Sequence, residues 1–234
     1  MTSSSLQIDH IFVFVEAGPI DSGSNQDPME ARWLKEAGFI ESYRRDHPGQ
    51  GTTNICYCFD NTYLELLWIT DEAAAKSDLI SKTRLAERSL WQENGASPFG
   101  IALRPELPFE TWNYNPPYLP KGLSIPVANS SLDPAQPFIF TSPSGKRPDV
   151  WQRDPEIKRQ RSCGFSEIRQ VELNMPVNNQ PSADLFNLNQ IGLISLIQSG
   201  THHTMRLSLS NSEGTITHDL LLPTCEIIPA DKSH

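Results

Sequence analysis

Short runs of apolar residues with strand and helix spacing fill the first seventy positions of the chain. The run QIDHIFVFV at residues 7–15 is apolar on both faces, which is typical of an inner strand. Residues 29–37 have the pattern of a helix, and Gly38 stands just after it, where helices commonly end. Three further strands are expected at residues 39–45, 55–59 and 63–69. Residues 6–70 are therefore predicted to form a β-α-β-β-β module.

The same order of elements is predicted again near the end of the chain. A strand beginning at Glu167 is followed by a helix that ends at Gly192 and by three further strands. In both segments the glycine that ends the helix precedes a carboxylate in the last strand by 27 residues, from Gly38 to Glu65 and from Gly192 to Asp219. Residues 167–228 are therefore predicted to form a second module.

The segment between the two modules, residues 71–166, has a different character. Residues 71–94 are predicted to be helical, and the rest is rich in proline, which excludes long regular elements. Short strands are expected there at residues 100–104, 123–127 and 138–141. The expected class is α+β, with paired β-α-β-β-β modules forming a curved, cup-shaped mixed sheet in one compact domain.

Composition narrows the range of partners. The chain has 234 residues, a formal net charge of −9 and an isoelectric point near 5.1. Such a charge repels phosphate backbones, so nucleic acid is not an expected partner. No apolar run has the length of a membrane helix, and no secretory signal is recognisable, so a cytoplasmic protein is expected. Cys56 and Cys58 are interpreted as reduced core thiols rather than a metal pair.

Two polar side chains interrupt the apolar strands of the first module. His10 lies within QIDHIFVFV and Glu65 within YLELLWI. A buried carboxylate is costly unless it is neutralised, hydrogen-bonded or bound to a cation. An imidazole and a carboxylate that point together suit a divalent ion such as Zn, Fe, Mn, Co or Ni. The alternative is a buried His–Glu hydrogen bond that contributes only to stability.

Paired modules with a histidine in the first strand and a glutamate in the last resemble the vicinal oxygen chelate superfamily. The segments IDHIFVFV and HPGQGTTNICYCFDNTYLELLWI are similar to the opening of its glyoxalase-like domain proteins. This resemblance implies a metal ion on the concave face of the sheet, where a substrate binds through two adjacent oxygens. It also implies that a homodimer is a common assembly.

The resemblance assigns His10 and Glu65 as metal ligands, and it assigns Gln170 and Asp219 at the matching positions of the second module. His47, at the start of the glycine-rich loop, is a further candidate ligand if that loop folds over the cup. The alternative for His47 is an exposed residue that caps a turn. The middle segment is an alternative partner for the first module, but its strand FGIALR offers no ligand.

The predicted function is a divalent-metal-dependent lyase, isomerase or dioxygenase that acts on a small oxygenated organic substrate, with Glu65 as the catalytic group. The alternative on the same fold is a metal-free protein that binds or sequesters a small molecule, as bleomycin-resistance proteins do. A purely structural or partner-binding domain is a third class, and it predicts an exposed apolar patch in place of a cup.

Overall fold

The computed structural model describes residues 5–19, 27–143, 145–151 and 157–230, and it confirms the α+β class. The strands are β1 (Gln7–Phe14), β2 (Tyr43–His47), β3 (Thr52–Cys58), β4 (Tyr63–Ile69), β5 (Phe99–Arg104), β6 (Thr111–Tyr114), β7 (Ile125–Ala128), β8 (Phe138–Thr141), β9 (Glu167–Met175), β10 (Ser195–Gln198), β11 (Thr204–Ser210), β12 (Ile216–Leu222) and β13 (Glu226–Pro229). The helices are α1 (Met29–Glu36), α2 (Glu72–Ala75), α3 (Asp78–Ser81), α4 (Leu85–Ser89), α5 (Trp91–Asn94) and α6 (Ala183–Gln190).

The first module forms half of an eight-stranded mixed sheet with the order β2-β3-β4-β1-β5-β8-β7-β6. Strand β1 pairs with β4 in parallel, and β2, β3 and β4 form an antiparallel meander. Their order along the chain, with α1 between β1 and β2, is the predicted β-α-β-β-β. Strand β1 is covered on both faces, which explains its continuous apolar sequence.

The other half of this sheet comes from the middle segment and not from residues 167–228. Strand β5 lies antiparallel to β1, and β8 lies parallel to β5, so β5 to β8 repeat the pairing of β1 to β4. The alternative partner considered from the sequence is therefore the one that the structure contains. Its prolines are accommodated because these strands have only four to six residues each.

Residues 167–228 contain the predicted order of elements but form a separate five-stranded sheet, β10-β9-β11-β12-β13. Here the first strand, β9, lies between β10 and β11, whereas β1 lies beside the last strand of its own module, β4. The expected equivalence of the two modules is therefore not met. Element order alone does not determine which strands pair.

The single helix expected over residues 71–94 is broken into four short helices, α2 to α5. The Thr83 hydroxyl donates to the Ile80 carbonyl at 2.6 Å, and Arg84 has a left-handed backbone with φ of 58°. A hydroxyl that binds a carbonyl of the preceding turn competes with helical hydrogen bonding. Helical structure nevertheless begins and ends close to the predicted bounds, since Asp71 caps α2 and Gly95 ends α5.

Two apolar clusters lie on opposite faces of the eight-stranded sheet. The larger cluster joins one face to the five-stranded sheet and to α1 and α6, through residues such as Ile11, Leu66, Leu173 and Leu207. The smaller cluster, which includes Phe12, Phe14, Leu85 and Phe140, lies on the other face beneath α3 and α4. Among the described residues, no helix is long and apolar enough to cross a membrane.

Candidate functional site

A cavity of about 210 Å³ opens on the face of the eight-stranded sheet that carries the smaller apolar cluster. Residues from both edge strands, β2 and β6, line it together with residues from the centre, so the sheet curls around it. We call this cavity the cup. A dry cavity of about 150 Å³ is large enough to hold benzene. The cup is therefore large enough for a molecule with a single ring.

Strand register determines which side chains lie beside one another on the floor of the cup. One row across the sheet consists of Tyr43, Cys56, Glu65, Phe12, Gly100 and Phe138. The neighbouring row consists of Tyr63, His10, Ala102 and Phe140. His10 and Glu65 therefore lie in adjacent rows on adjacent strands, and both line the cup as predicted.

A β-bulge orients the His10 imidazole. The pairing of β1 with β5 shifts between Ile8 and His10, which leaves Asp9 as an extra residue and lets its carboxylate reach its neighbour. Asp9 Oδ1 lies 2.9 Å from His10 Nδ1, and Arg104 donates to Asp9 Oδ2 at 3.0 Å. Burial alone would raise the pKa of Asp9, but hydrogen bonds with His10, Ser142 and Arg104 lower it. An ionised carboxylate can only accept hydrogen bonds, so His10 Nδ1 carries the proton that Asp9 accepts. The other ring nitrogen, Nε2, faces the cup.

The Glu65 carboxylate is held from the neighbouring strand. Asn54 Nδ2 donates to Glu65 Oε1 at 2.6 Å, while Asn54 Oδ1 accepts the Arg45 backbone N–H at 2.9 Å. The two bonds together fix which end of the Asn54 amide faces Glu65. The other oxygen, Oε2, lies 3.6 Å from His10 Nε2. That distance is too long for a hydrogen bond.

The separation of these two atoms suits two ligands of one metal ion. An imidazole nitrogen and a carboxylate oxygen are both ligands of divalent ions, and these two atoms face each other at 3.6 Å without a hydrogen bond. The other nitrogen of His10 is held by Asp9 and the other oxygen of Glu65 by Asn54, which is the usual support of metal ligands. An imidazole and a carboxylate supported in this way form a donor pair that a divalent ion would accept.

His47 lies at the end of β2 and lines the cup, as the glycine-rich loop suggested. Its Nδ1 pairs with Thr52 Oγ1 at 2.9 Å, and its ring packs against Tyr118 with centroids 4.8 Å apart. Burial lowers the pKa of His47, although the Glu65 charge opposes this, so the ring is neutral near pH 7. Within the described ranges, no group of three or more His, Cys, Asp or Glu side chains is arranged to hold a metal ion. His47 therefore lines the same cup as His10 and Glu65 but does not form a three-residue metal-binding group with them.

Gln170 and Asp219 are not brought to the cup. They lie on β9 and β12 of the five-stranded sheet, where Ser208 stands between them in the register. The Ser208 hydroxyl donates to Asp219 Oδ1 at 2.7 Å, and Arg206 lies 3.6 Å from the same carboxylate. Their assignment as ligands followed from equating the two modules, and this equivalence is the one that the strand order contradicts.

The second half of the cup carries no ligand at the matching positions. Because β1 and β5 are antiparallel at the centre of the sheet, a local two-fold relation maps His10 onto Gly100 and Glu65 onto Phe140. A Cβ atom at Gly100 would lie 2.0 Å from the Phe12 ring, so the space for a side chain is already filled. Phe140 places its ring edge-on to His10 with centroids 5.3 Å apart. One half of the cup contains the ionisable pair, whereas the matching positions of the other half are apolar.

Several residues that line the cup were not singled out from the sequence, chiefly aromatic residues of the Pro-rich segment such as Tyr114 and Tyr118. The Tyr114 hydroxyl donates to Gln50 Oε1 at 2.7 Å, which connects the glycine-rich loop to β6. Cys56 lies beside Glu65, but burial raises the pKa of its thiol well above the ordinary value. It is therefore a neutral core thiol, in agreement with the interpretation from the sequence.

Comparisons with known proteins agree with this picture for the first part of the chain. Residues 8–110 match the family model of the glyoxalase-like domain, so the resemblance seen in the sequence is confirmed there. A hypothetical protein from Staphylococcus aureus aligns at 14% identity over 89% of this chain and 82% of its own, with a TM-score of 0.43. A methylmalonyl-CoA epimerase in complex with methylmalonyl-CoA and NH4+ aligns at 15% identity over 62% of this chain and 100% of its own, with a TM-score of 0.37. No curated protein gave a significant match.

Proposed function

Because residues 8–110 match the glyoxalase-like domain, we propose that the cup binds a small oxygenated organic molecule and converts it, as a lyase, isomerase or dioxygenase. A divalent metal ion held by His10 and Glu65 is part of this proposal. The observation that carries it is the 3.6 Å separation of His10 Nε2 and Glu65 Oε2, two atoms that face each other without a hydrogen bond.

The residues of the cup have distinct roles in this proposal. When bound, the ion would act as a Lewis acid on two adjacent substrate oxygens. Glu65 is the one carboxylate that lines the cup among the described residues, so it is the group available to take a proton from a substrate carbon. Asn54 keeps Oε1 of Glu65 in place, and Asp9 keeps the His10 ring in one tautomer. The aromatic wall limits the access of water.

Metal binding is tested on tag-free protein that has been treated with a chelator and dialysed. Calorimetric titration with Zn²⁺ and Mn²⁺ is expected to show one site in the wild type. His10→Ala and Glu65→Gln are expected to weaken binding at least about tenfold, since each removes one of two protein ligands. Gln170→Ala and His47→Ala are the matched controls, and both are expected to bind as the wild type does.

Each control tests a specific assignment. A loss of affinity in Gln170→Ala would show that the ion binds at the five-stranded sheet. A loss in His47→Ala would show that the loop closes and supplies a third ligand. Equal affinity of the wild type and Glu65→Gln would refute the proposed site. Circular dichroism spectra confirm that each variant is folded.

A second candidate function follows from the apolar half of the cup. Gly100 and Phe140 occupy the positions that match His10 and Glu65, so the ion would have two protein ligands where two equivalent halves would supply four. This favours a metal-free protein that binds or sequesters its ligand. It predicts no metal site in the titration but retained binding of a ring-sized molecule. Homodimer formation and a cytoplasmic location remain predictions.

A further inference from the structure

The arginine that faces the cup differs from its neighbours in how its charge is balanced. Along β2 alternate side chains point to opposite faces, and Tyr43, Arg45 and His47 all line the cup. Arg44, on the other face, is held by Asp27 and Glu41. Arg45 has no carboxylate or carbonyl partner for its guanidinium among the described residues. Its contact is with the Tyr43 ring, whose centroid lies 5.1 Å from Cζ.

Arg45 is exposed on the edge strand of the cup, in a chain whose acidic residues outnumber its basic residues. The formal net charge is −9, and arginines elsewhere, such as Arg104 and Arg159, pair with Asp9 and Asp60. A guanidinium presents a planar set of N–H donors that matches the oxygens of a carboxylate or phosphate. The Tyr43 ring holds the Arg45 side chain at the cup without using these donors.

Arg45 is also coupled to the reactive pair through the backbone. Its N–H donates to Asn54 Oδ1, and the same amide donates to Glu65 Oε1. Arg45 and Glu65 both line the cup, Arg45 from the exposed edge strand β2 and Glu65 from the buried strand β4. One polar half of the cup thus contains a positive group near its rim and a negative group at its floor.

We propose that Arg45 binds an oxyanion of the substrate, so that the natural ligand is a small anionic molecule. Its ring or short apolar body would lie against Phe12, Phe138 and Phe140. This inference rests on the proposed function only in taking the cup as the ligand site, and it holds with or without a metal ion. A cavity of about 210 Å³ leaves room for one ring and one anionic group, so larger anions such as nucleotides are not expected.

The test uses three probes that share a phenyl ring. Benzoate, phenyl phosphate and the neutral benzamide are titrated into ¹⁵N-labelled wild-type protein, Arg45→Gln, Arg45→Lys and Arg44→Gln, with and without Zn²⁺. The wild type is expected to bind one of the two anions about tenfold more tightly than benzamide. Arg45→Gln is expected to lose this preference, Arg45→Lys to keep part of it, and Arg44→Gln to behave as the wild type does.

The outcomes separate this inference from the proposed metal site. Preference for benzoate would identify a carboxylate and preference for phenyl phosphate a phosphate ester, and either supports the inference if it is lost in Arg45→Gln. Equal binding of all three probes, an unchanged preference in Arg45→Gln, or no resonance shifts at millimolar probe would overturn it. A protein that binds no Zn²⁺ but shows the Arg45-dependent preference would refute the metal proposal alone.

Discussion

Substitution of Gly100 by alanine tests how the apolar half of the cup is built. Gly100 lies beside Phe12 in the central strand pair, and a Cβ atom there would stand 2.0 Å from one ring carbon and 2.3 Å from another. Carbon atoms in contact are about 3.5 Å to 4 Å apart, so the ring must move by more than 1 Å or the strands must separate. Phe14 and Phe138 already contact the ring, so the free space lies toward the cup.

The expected cost follows from overpacking a filled core. Adding one methyl group that forces a buried ring out of place destabilises a protein by about 1–3 kcal/mol. Gly100→Ala is therefore expected to lower the free energy of unfolding by about 2 kcal/mol, measured by urea denaturation followed by circular dichroism. Because the displaced ring occupies the cup, benzamide binding is expected to weaken in the same variant.

A double-mutant cycle separates this clash from a change in the strand itself. Phe12→Leu removes the ring atoms that the new methyl group would meet. In that background Gly100→Ala is expected to cost at least about 1 kcal/mol less than in the wild type. Additive effects within about 0.5 kcal/mol, or a Gly100→Ala variant as stable as the wild type, would refute the reasoning that Phe12 fills this space.

Three further predictions concern the surroundings of the cup. Burial and the Arg88 charge lower the pKa of His203 to about 4, so the unfolded chain binds the extra proton between about pH 6.5 and pH 4. Stability is expected to be full above pH 6.5 and to fall by about 2 kcal/mol at pH 5, and this part of the pH dependence should disappear in urea titrations of His203→Gln. Arg88→Met is expected to destabilise the protein by at least about 3 kcal/mol in the same assay, because the buried guanidinium donates to backbone carbonyls including those of Ser131 and Pro134, which would be left unpaired. Asp9→Asn is expected to weaken Zn²⁺ binding by about 10- to 100-fold in calorimetry, because His10 loses the carboxylate that fixes its tautomer, whereas unchanged affinity would show that Asp9 only supports the fold.

The first half of the cup was predictable because its ionisable residues interrupt strands that are otherwise apolar. His10 and Glu65 are single ionisable groups in apolar strands, and the cost of burying them separately indicated that they meet. The predicted bounds of their strands were also close, since β4 runs from Tyr63 to Ile69 as expected. Their supporting partners were less visible. Asp9 directly precedes His10 in a strand, where successive side chains point to opposite faces, and only the bulge, which has no signature in this sequence, turns its carboxylate toward the ring.

The second half of the cup was predicted wrongly because equal residue spacing in two segments does not mean that their strands pair in the same order. The 27 residues that separate a glycine from Glu65 and from Asp219 reflect similar lengths of the three strands and their connections in both segments. Strand order depends on long-range contacts, and these placed β9 between β10 and β11. Residues 99–141 are the partner of the first module in the structure. Their sequence does not show the β-α-β-β-β pattern, because it is rich in proline and has no helix between β5 and β6.

The asymmetry of the cup has a consequence for the orientation of any ligand. Groups that can act on a substrate come from β1, β2, β3 and β4, whereas the matching positions of the other half are filled by Phe140 and by the Phe12 ring over Gly100. Phe140 also contacts the His10 ring, so an apolar body that packs on Phe140 necessarily begins beside the imidazole. In the proposed binding mode, the atoms next to that body would face His10 and Glu65, and an anionic group further along would point toward Arg45. A molecule bound in the reverse direction would bury its charge among phenylalanines, which is strongly unfavourable. The proposed binding mode therefore has one direction, with or without a metal ion.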